Sequence, residues 1–166
     1  GCVDKITILP AGTMPPVEMT SRGFEDSLTP SELTPADLAC VLKGGAFVTE
    51  KNVFDRVVTN IQDGSVIGYK YYDFGDDFGS KTMGFSAKIL GMGCDAVMHI
   101  LIDGEDGEEI GCCRIGHDSS AIHTIVKSVT GRHAVFFKIT TEYVGWMGEM
   151  FRGRNLFELC SFVFLK

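Results

Sequence analysis

Positive charge is scarce in this sequence, which has 15 lysines and arginines against 22 aspartates and glutamates and a formal net charge of -7. A nucleic-acid backbone and an anionic membrane surface would not attract such a chain, so neither is expected as a partner. Long hydrophobic runs are also missing, because no apolar stretch approaches the ~20 residues that span a bilayer. The amino terminus lacks the order of a signal peptide. The sequence therefore predicts a soluble protein.

Proline is absent after residue 35, although five prolines precede that point: Pro10, Pro15, Pro16, Pro30 and Pro35. Because proline cannot donate to a central β-ladder, residues 1–33 are predicted to be an extended arm and residues 34–166 the folding unit. A length of 166 residues with 45% hydrophobic content suits one domain with a substantial core. A chain that begins at Gly1 is interpreted as a piece of a longer protein, which leaves the compartment of its parent open.

Motifs for metal binding and catalysis are missing too. No serine has nucleophile-elbow glycines, no glycine run forms a phosphate cradle and no two histidines have metal-ligand spacing, so the sequence does not predict an enzyme. No cysteine pair has the C-x-x-C spacing, and the six cysteines are interpreted as buried, reduced thiols, which favour a cytoplasmic or anaerobic setting although the parent could be secreted. They are Cys2, Cys40, Cys94, Cys112, Cys113 and Cys160.

Short runs rich in Val, Ile, Phe, Tyr and Thr follow one another between glycine or acidic breaks, which is the pattern of an all-β domain. Nine strands are predicted, at residues 46–50, 56–60, 65–74, 82–90, 96–103, 109–115, 123–129, 133–143 and 157–165. Taken alone, residues 34–44 allow a helical turn with Thr34 as its cap and Gly44 as its stop.

Alternation within these runs indicates how the strands are layered. Phe85, Ala87 and Ile89 share one face of their strand, whereas residues 133–139 and 161–165 are apolar on both faces. Strands of the second kind suit the middle of two stacked sheets, so a two-sheet jelly-roll sandwich is the predicted architecture. The acidic, glycine-rich breaks that follow residues 74 and 102 are predicted to be solvated turns of antiparallel hairpins, because neither has the ligand register of an EF-hand.

One long loop, residues 140–156, departs from the strand pattern. It contains Tyr143, Trp146, Phe151 and Arg154, and Trp146 is the single tryptophan of the chain. Loops of this length are often functional. Its aromatic rings could stack on sugar rings, it could dock on a neighbouring domain, since Trp, Tyr, Met and Arg are enriched in interfaces, or it could pack on its own core.

Five stretches together resemble a family 6 carbohydrate-binding module, in the version found at the carboxyl end of glycoside hydrolase family 43 enzymes. They are residues 57–75, 84–91, 100–111, 129–139 and 155–164. The resemblance starts near Thr34, favours a strand in residues 34–44, and implies a galactose-binding-domain-like β-sandwich with a loop-end cleft for xylan-type or β-glucan chains. Residues 16–24 resemble the connector from the catalytic propeller of those enzymes, so the arm would lead to a catalytic domain outside this chain.

The resemblance also implies positions for a site. Asn60 corresponds to the aromatic of the first cleft loop, Glu158 corresponds to a polar sugar contact, and residues 118–122 have no aromatic where the family has a stacking Trp. Asp37 matches one carboxylate ligand of the family's structural calcium, whereas Cys160 replaces the second. A neutral thiol is a poor ligand for a hard cation, so a degenerate cleft and a weak or absent calcium site are expected.

Two functions follow from these observations. In the first, a non-catalytic domain binds xylan or arabinoxylan through aromatic contacts on the loop that holds Tyr143, Trp146 and Phe151. The polar contacts would come from Asn60, Arg154 and Glu158. In the second, a structural module packs on the catalytic propeller through the same loop and the arm, with little affinity for sugar. No cofactor is expected in either case, apart from at most one structural calcium.

Overall fold

The computed structural model describes residues 4–24, 26–78 and 81–166. These residues form short strands, one 3₁₀ turn and one helix. In chain order they are β1 (Thr34–Pro35), the 3₁₀ turn (Ala36–Leu38), β2 (Val41–Lys43), β3 (Phe47–Glu50), β4 (Arg56–Thr59), β5 (Val66–Asp73), β6 (Thr82–Gly91), β7 (Ala96–Ile102), β8 (Glu108–Ile115), β9 (Ala121–Lys127), β10 (Arg132–Thr140), α1 (Trp146–Phe151) and β11 (Phe157–Leu165). Among the described residues, neither the 3₁₀ turn nor α1 is long and apolar enough to cross a membrane.

Two antiparallel sheets stack face to face. The five-stranded sheet has the order β2-β5-β10-β7-β8, and the six-stranded sheet has the order β3-β4-β11-β6-β9, with β1 also paired to β11. The strands β10 and β11, which are apolar on both faces, lie in the middle of their sheets. A central strand has a neighbouring strand along each edge, so its apolar side chains are better covered than those of an edge strand. The predicted all-β, two-sheet jelly-roll sandwich is confirmed.

Aromatic side chains fill the space between the sheets. The largest fully buried rings are Tyr69, Tyr72, Phe85, Phe137, Phe157, Phe162 and Phe164. The two buried tyrosine hydroxyls donate hydrogen bonds, from Tyr69 to the Ala36 carbonyl at 3.0 Å and from Tyr72 to Thr34 Oγ1 at 2.8 Å. These bonds satisfy polar atoms inside the core and fasten β5 to the β1 segment. Burial raises the pKa of both hydroxyls, so they remain neutral donors.

The predicted hairpin between β5 and β6 is wrong. β5 pairs with β2 and β10, whereas β6 pairs with β9 and β11, so the chain crosses from one sheet to the other between them. Phe74 and Phe78 explain the crossing, because both are buried and their ring centroids lie 5.5 Å apart in the core. A solvated hairpin tip could not carry two such rings. The second acidic turn does join a hairpin, in which β7 pairs with β8.

The residues of the predicted arm turn outward and return to the sandwich. Residues 4–24 contain neither helix nor strand, and nearly all side chains from residue 5 to residue 19 are exposed. The Asp4 carboxylate accepts hydrogen bonds from Thr20 N and Thr20 Oγ1, both at 2.9 Å, and from Phe24 N at 3.1 Å. Ser21 N then donates to the Lys70 carbonyl of β5 at 2.6 Å. The arm therefore forms a loop closed at its base by Asp4.

Two smaller expectations are corrected in part. Residues 34–44 form two short strands around the 3₁₀ turn, so neither a continuous strand nor a helix of the predicted extent is present. Among the described cysteines, Cys94 and Cys113 are buried and Cys40 and Cys160 are half-buried, but Cys112 is exposed. The prediction of buried thiols is therefore wrong for Cys112, which faces outward from β8 where its neighbour faces the core. Cys2 lies outside the described residues.

Candidate binding surfaces

Several loops meet at one end of the sandwich, here called the loop end. Gly93 N donates to the His117 carbonyl at 3.0 Å, Met92 N donates to the Leu156 carbonyl at 3.2 Å, and Leu156 N donates to the Ile61 carbonyl at 2.8 Å. These bonds connect segments that are far apart in the sequence, so the surface they form is visible only in three dimensions. The segments are residues 60–65, 91–95, 116–120 and 141–156.

Tyr143 lies at the centre of the loop end. Its ring stacks on Phe151 of α1, with centroids 4.3 Å apart and ring planes 18° apart. Its hydroxyl accepts a hydrogen bond from Asp95 N at 2.7 Å, and the Asp95 carboxylate accepts one from His117 N at 2.9 Å. Both rings are partly buried against the core. The structure thus places Tyr143 and Phe151 in packing roles, the third of the alternatives that the sequence left open for this loop.

Trp146 has a different environment, because 72% of it is exposed at the first position of α1. Val144, Met147 and Met150 beside it in the chain are exposed as well. Gly145, which precedes the helix, has a φ of 60°, a value that glycine adopts without strain. The loop therefore presents an apolar surface with a free indole ring.

A cavity of about 500 Å³ opens at the same end of the sandwich. Its apolar wall is formed by Val97, Tyr143, Val144 and Met147, and its polar wall by Asp95, Arg114 and Glu142. Arg114 Nη2 donates to Glu142 Oε1 at 2.9 Å. A second cavity of about 350 Å³ has polar groups from Gln62, Asp63, Thr141, Glu149 and Arg152 in its lining, and it also has Tyr143 in its wall. Together the two cavities offer apolar contact and hydrogen-bonding groups next to Tyr143.

The polar residues predicted for the sugar contact are found in two places. Asn60 lies at the loop end with a φ of 53°, but its Nδ2 donates to the Gly45 carbonyl at 2.8 Å and its Oδ1 accepts from Gln62 Nε2 at 3.1 Å. Arg154 follows α1, where its Nε donates to the Met150 carbonyl at 3.2 Å and its guanidinium lies 5.6 Å from the centroid of Phe151. Both side chains therefore hold loop structure.

Glu158 is not brought to these cavities. It lines the outer-face groove, a depression of about 780 Å³ on the six-stranded sheet whose lining includes Asp37, Lys51, Phe54, Lys88, Glu158 and Cys160. Glu158 is buried, with Oε1 accepting a hydrogen bond from Thr59 Oγ1 at 3.0 Å and Oε2 lying 2.5 Å from Lys51 Nζ. Its carboxylate is thus engaged within the protein.

The residues predicted for calcium share this groove but do not fit the ion. Arg56 Nη1 lies 4.0 Å from Asp37 Oδ2, so a cation already faces that carboxylate. Burial raises the pKa of the Cys160 thiol and keeps it neutral, which makes it a poor ligand for a hard cation. Within residues 4–24, 26–78 and 81–166, no group of three or more His, Cys, Asp or Glu side chains is arranged to hold a metal.

Sequence reasoning missed two features of these surfaces. Asp95 and Arg114 line the larger loop-end cavity, but Asp95 precedes β7 and Arg114 lies in β8, so neither has a local signal. Val53 and Phe54 form the tip of the β3-β4 hairpin, with 91% and 94% of each side chain exposed. The sequence did contain a signal for this exposed apolar tip. Two apolar residues stand within the turn from Lys51 to Asp55, where polar residues are usual.

Known proteins resemble this chain in their fold, and the comparisons by sequence found no match. No family model and no curated protein matches the chain. A glycoside hydrolase family 43 arabinoxylan arabinofuranohydrolase from Bacillus subtilis, solved with cellotetraose, superposes with a TM-score of 0.68 at 23% identity, over 98% of this chain and 33% of its own. A family 6 carbohydrate-binding module from Clostridium cellulolyticum, solved with xylose, gives a TM-score of 0.68 at 21% identity over 84% of this chain and 100% of its own.

A β-1,3-glucan-binding family 6 module from Bacillus halodurans gives a TM-score of 0.67 at 15% identity, over 85% of this chain and 100% of its own. The chain therefore has the fold of the family 6 carbohydrate-binding modules, and it spans about a third of the length of the hydrolase that it matches.

Proposed function

We propose that the chain is a non-catalytic accessory domain of a glycoside hydrolase family 43 type enzyme, and that it binds plant cell-wall polysaccharide at the loop end. The observation that carries the proposal is the exposed Trp146 on the loop that also lines a cavity of about 500 Å³ with apolar and charged walls. Carbohydrate-binding modules with this fold support the same conclusion by analogy of fold.

The chemistry of the loop end suits a sugar better than an apolar ligand. An exposed indole can cover the C–H face of a pyranose ring, while Asp95, Arg114 and Glu142 offer acceptors and donors to its hydroxyls. Among the described residues, Arg114 and Glu142 pair only with each other, and both are largely exposed, so both can exchange that bond for bonds to a ligand. Trp146 is thus the stacking residue of the proposed site, and Asn60 and Arg154 shape the loops around it.

Xylan or arabinoxylan is the proposed polysaccharide. One matched module was solved with xylose, and the matched hydrolase is named for arabinoxylan. Another match is a β-1,3-glucan-binding module, so β-glucan is the comparison ligand in any test.

Isothermal titration with xylo-oligosaccharides and with β-glucan oligosaccharides tests the proposal, and calcium is added in parallel runs. Binding with a dissociation constant in the micromolar to millimolar range is expected, and Trp146→Ala should abolish it. Phe54→Ala is the matched control, because Phe54 is also an exposed aromatic but lies on the outer-face groove. Unchanged affinity in Trp146→Ala, or no binding to any oligosaccharide, would contradict the proposal.

Docking on a catalytic domain is the second candidate function, and the arm favours it. Ile6, Ile8, Leu9, Met14, Val17 and Met19 are all exposed there. The match to the hydrolase covers 98% of this chain, whereas the matches to the two modules cover 84% and 85%. The additional coverage supports an arm that belongs with the hydrolase, where exposed apolar residues would meet the rest of the enzyme.

Sedimentation velocity of the isolated chain tests this candidate. An apolar docking surface without its partner should promote self-association, which Ile8→Ser should reduce. Val53→Ser removes an exposed apolar side chain outside the arm and serves as the control. A chain that stays monomeric at high concentration would count against docking through the arm.

A further inference from the structure

We infer that Tyr143 is a positioning residue, which holds α1 and therefore Trp146 in place, and that it is not a stacking platform for sugar. The inference rests on the proposed function for the role of Trp146 in binding. The contacts that support it belong to the free protein and can be tested without any ligand.

The helix α1 cannot fix its own orientation. It has six residues, whereas isolated helices shorter than about 12–15 residues are marginal in water. None of its residues is buried, and the preceding Gly145 has no side chain to cap the first turn. The direction in which Trp146 points must therefore be set by contacts between the helix and the body of the domain.

The main such contact is the stack of Phe151 on Tyr143. The ring centroids are 4.3 Å apart, and both residues pack against the core cluster between the sheets. The helix also approaches the backbone of Tyr143 closely at Gly148, where an added Cβ would lie 3.0 Å from the Tyr143 carbonyl oxygen. One face of the Tyr143 ring is consequently covered by α1 and is closed to a sugar.

Tyr143 is itself held by a hydrogen bond that crosses between loops. Its hydroxyl accepts from Asp95 N at 2.7 Å, and Asp95 Oδ1 accepts from His117 N at 2.9 Å. Residues 91–95, 116–120 and 141–151 are therefore linked through two side chains, those of Tyr143 and Asp95. Since Tyr143 also lines both loop-end cavities, a change in its position would alter the shape of both.

The experiment measures the steady-state fluorescence anisotropy and near-ultraviolet circular dichroism of Trp146, which is the single tryptophan, in the ligand-free protein. Tyr143→Leu removes the ring stack and the hydroxyl, and Tyr143→Phe removes only the hydroxyl. Phe151→Leu removes the same stack from the helix side and serves if Tyr143→Leu fails to fold. Tyr71→Phe is the matched control, because it deletes a tyrosine hydroxyl that donates to Glu18 of the arm, away from the loop end.

Tyr143→Leu and Phe151→Leu should lower the anisotropy of Trp146 and flatten its circular dichroism, while Tyr143→Phe should have an intermediate effect and Tyr71→Phe none. Titration should then show xylo-oligosaccharide binding weakened about tenfold in Tyr143→Leu, as expected when a contact side chain must be ordered on binding. Wild-type anisotropy in both leucine variants would overturn the positioning role. Absence of sugar binding by the wild type would contradict the proposed function and leave the anisotropy result to decide the role of Tyr143.

Discussion

At the scale of single residues, Glu158 has structural contacts where the sequence predicted a sugar contact. Its carboxylate lies below the outer-face groove, between the hydroxyl of Thr59 and the ammonium of Lys51. Within the part of the chain that the structure describes, Oε2 has no hydrogen bond of good geometry, so the nearby charge of Lys51 is what compensates it. Thr59 Oγ1 in turn accepts from Asn155 Nδ2 at 3.1 Å. This network joins β4 to β11 and leaves Glu158 little freedom to bind a ligand.

Loss of Lys51 should therefore destabilise the domain. In Lys51→Met the Glu158 carboxylate would remain buried without a compensating charge, and the free energy of unfolding should fall by about 1–3 kcal/mol. Lys43→Met is the control, because Lys43 pairs with Glu105 at 2.9 Å in an exposed ion pair, and pairs of that kind contribute about 0–1 kcal/mol. Urea denaturation of both variants measures the difference. Equal losses would show that burial of Glu158 has no energetic consequence.

At the scale of elements, two carboxylates organise the arm, because Asp4 closes its loop by accepting from Thr20 and Phe24, and Glu18 binds it to β5. The hydrogen bonds from Thr20 lower the pKa of Asp4 from its ordinary value of 3.8. Glu18 accepts hydrogen bonds from Lys70 at 2.6 Å and from the Tyr71 hydroxyl at 2.9 Å, and these lower its pKa from 4.5. A carboxylate with a depressed pKa stabilises the folded form above its unfolded pKa, and this contribution is lost as the pH falls through the folded value.

Acid should consequently open the loop of residues 4–20 and detach it from β5, while the backbone bonds of Ser21 and Leu28 keep the rest of the arm on the sandwich. Between neutral pH and about pH 4.5 both carboxylates remain ionised and the loop should stay attached, whereas below that range it should detach progressively. The amide resonances of Thr20 and Phe24 report the Asp4 contact directly, and they should titrate with a midpoint below 3.8. A midpoint at or above that value would contradict the assigned bonds.

The same release can be produced at neutral pH. Asp4→Ala removes the acceptor of three hydrogen bonds, so tryptic cleavage after Arg22 should become faster. Asp26→Ala changes an exposed carboxylate on the same segment and should leave the cleavage rate unchanged.

The elements also show which parts of the fold the sequence could predict. All nine predicted runs became strands, because alternation and β-branched or aromatic content are local properties. β1 and β2 are too short for such a pattern, and α1 has no buried face to produce one. The change of sheet between β5 and β6 was missed because an acidic, glycine-rich segment resembles a hairpin turn. Its two phenylalanines, Phe74 and Phe78, were the signal against a solvated turn, and both are buried.

At the scale of the whole molecule, the site was harder to predict than the fold. The residues 140–156 were identified as the unusual loop, and the structure places Trp146 exposed there and Tyr143 packed. Asp95, Arg114 and Asn60 reach the same end of the sandwich from other strands and loops, so no spacing in the sequence links them. The groove that holds Asp37, Glu158 and Cys160 likewise exists only because β4, β6 and β11 are neighbours.

The net charge of -7 also bears on which polysaccharide the whole molecule can bind. An anionic chain, such as a xylan substituted with uronic acids, would be repelled by the protein as a whole, whereas neutral arabinoxylan would not. The repulsion should be strong at an ionic strength of about 0.01 M, where the Debye length is about 30 Å, and much weaker at about 0.15 M, where it is about 8 Å. Affinity electrophoresis in gels that contain either polysaccharide measures the difference. Retardation of the protein by the anionic xylan should increase with salt, whereas retardation by the neutral arabinoxylan should hardly change. Stronger retardation by the anionic xylan at low salt would mean that Arg114, Arg152 and Arg154 form a local cationic site that outweighs the charge of the whole domain.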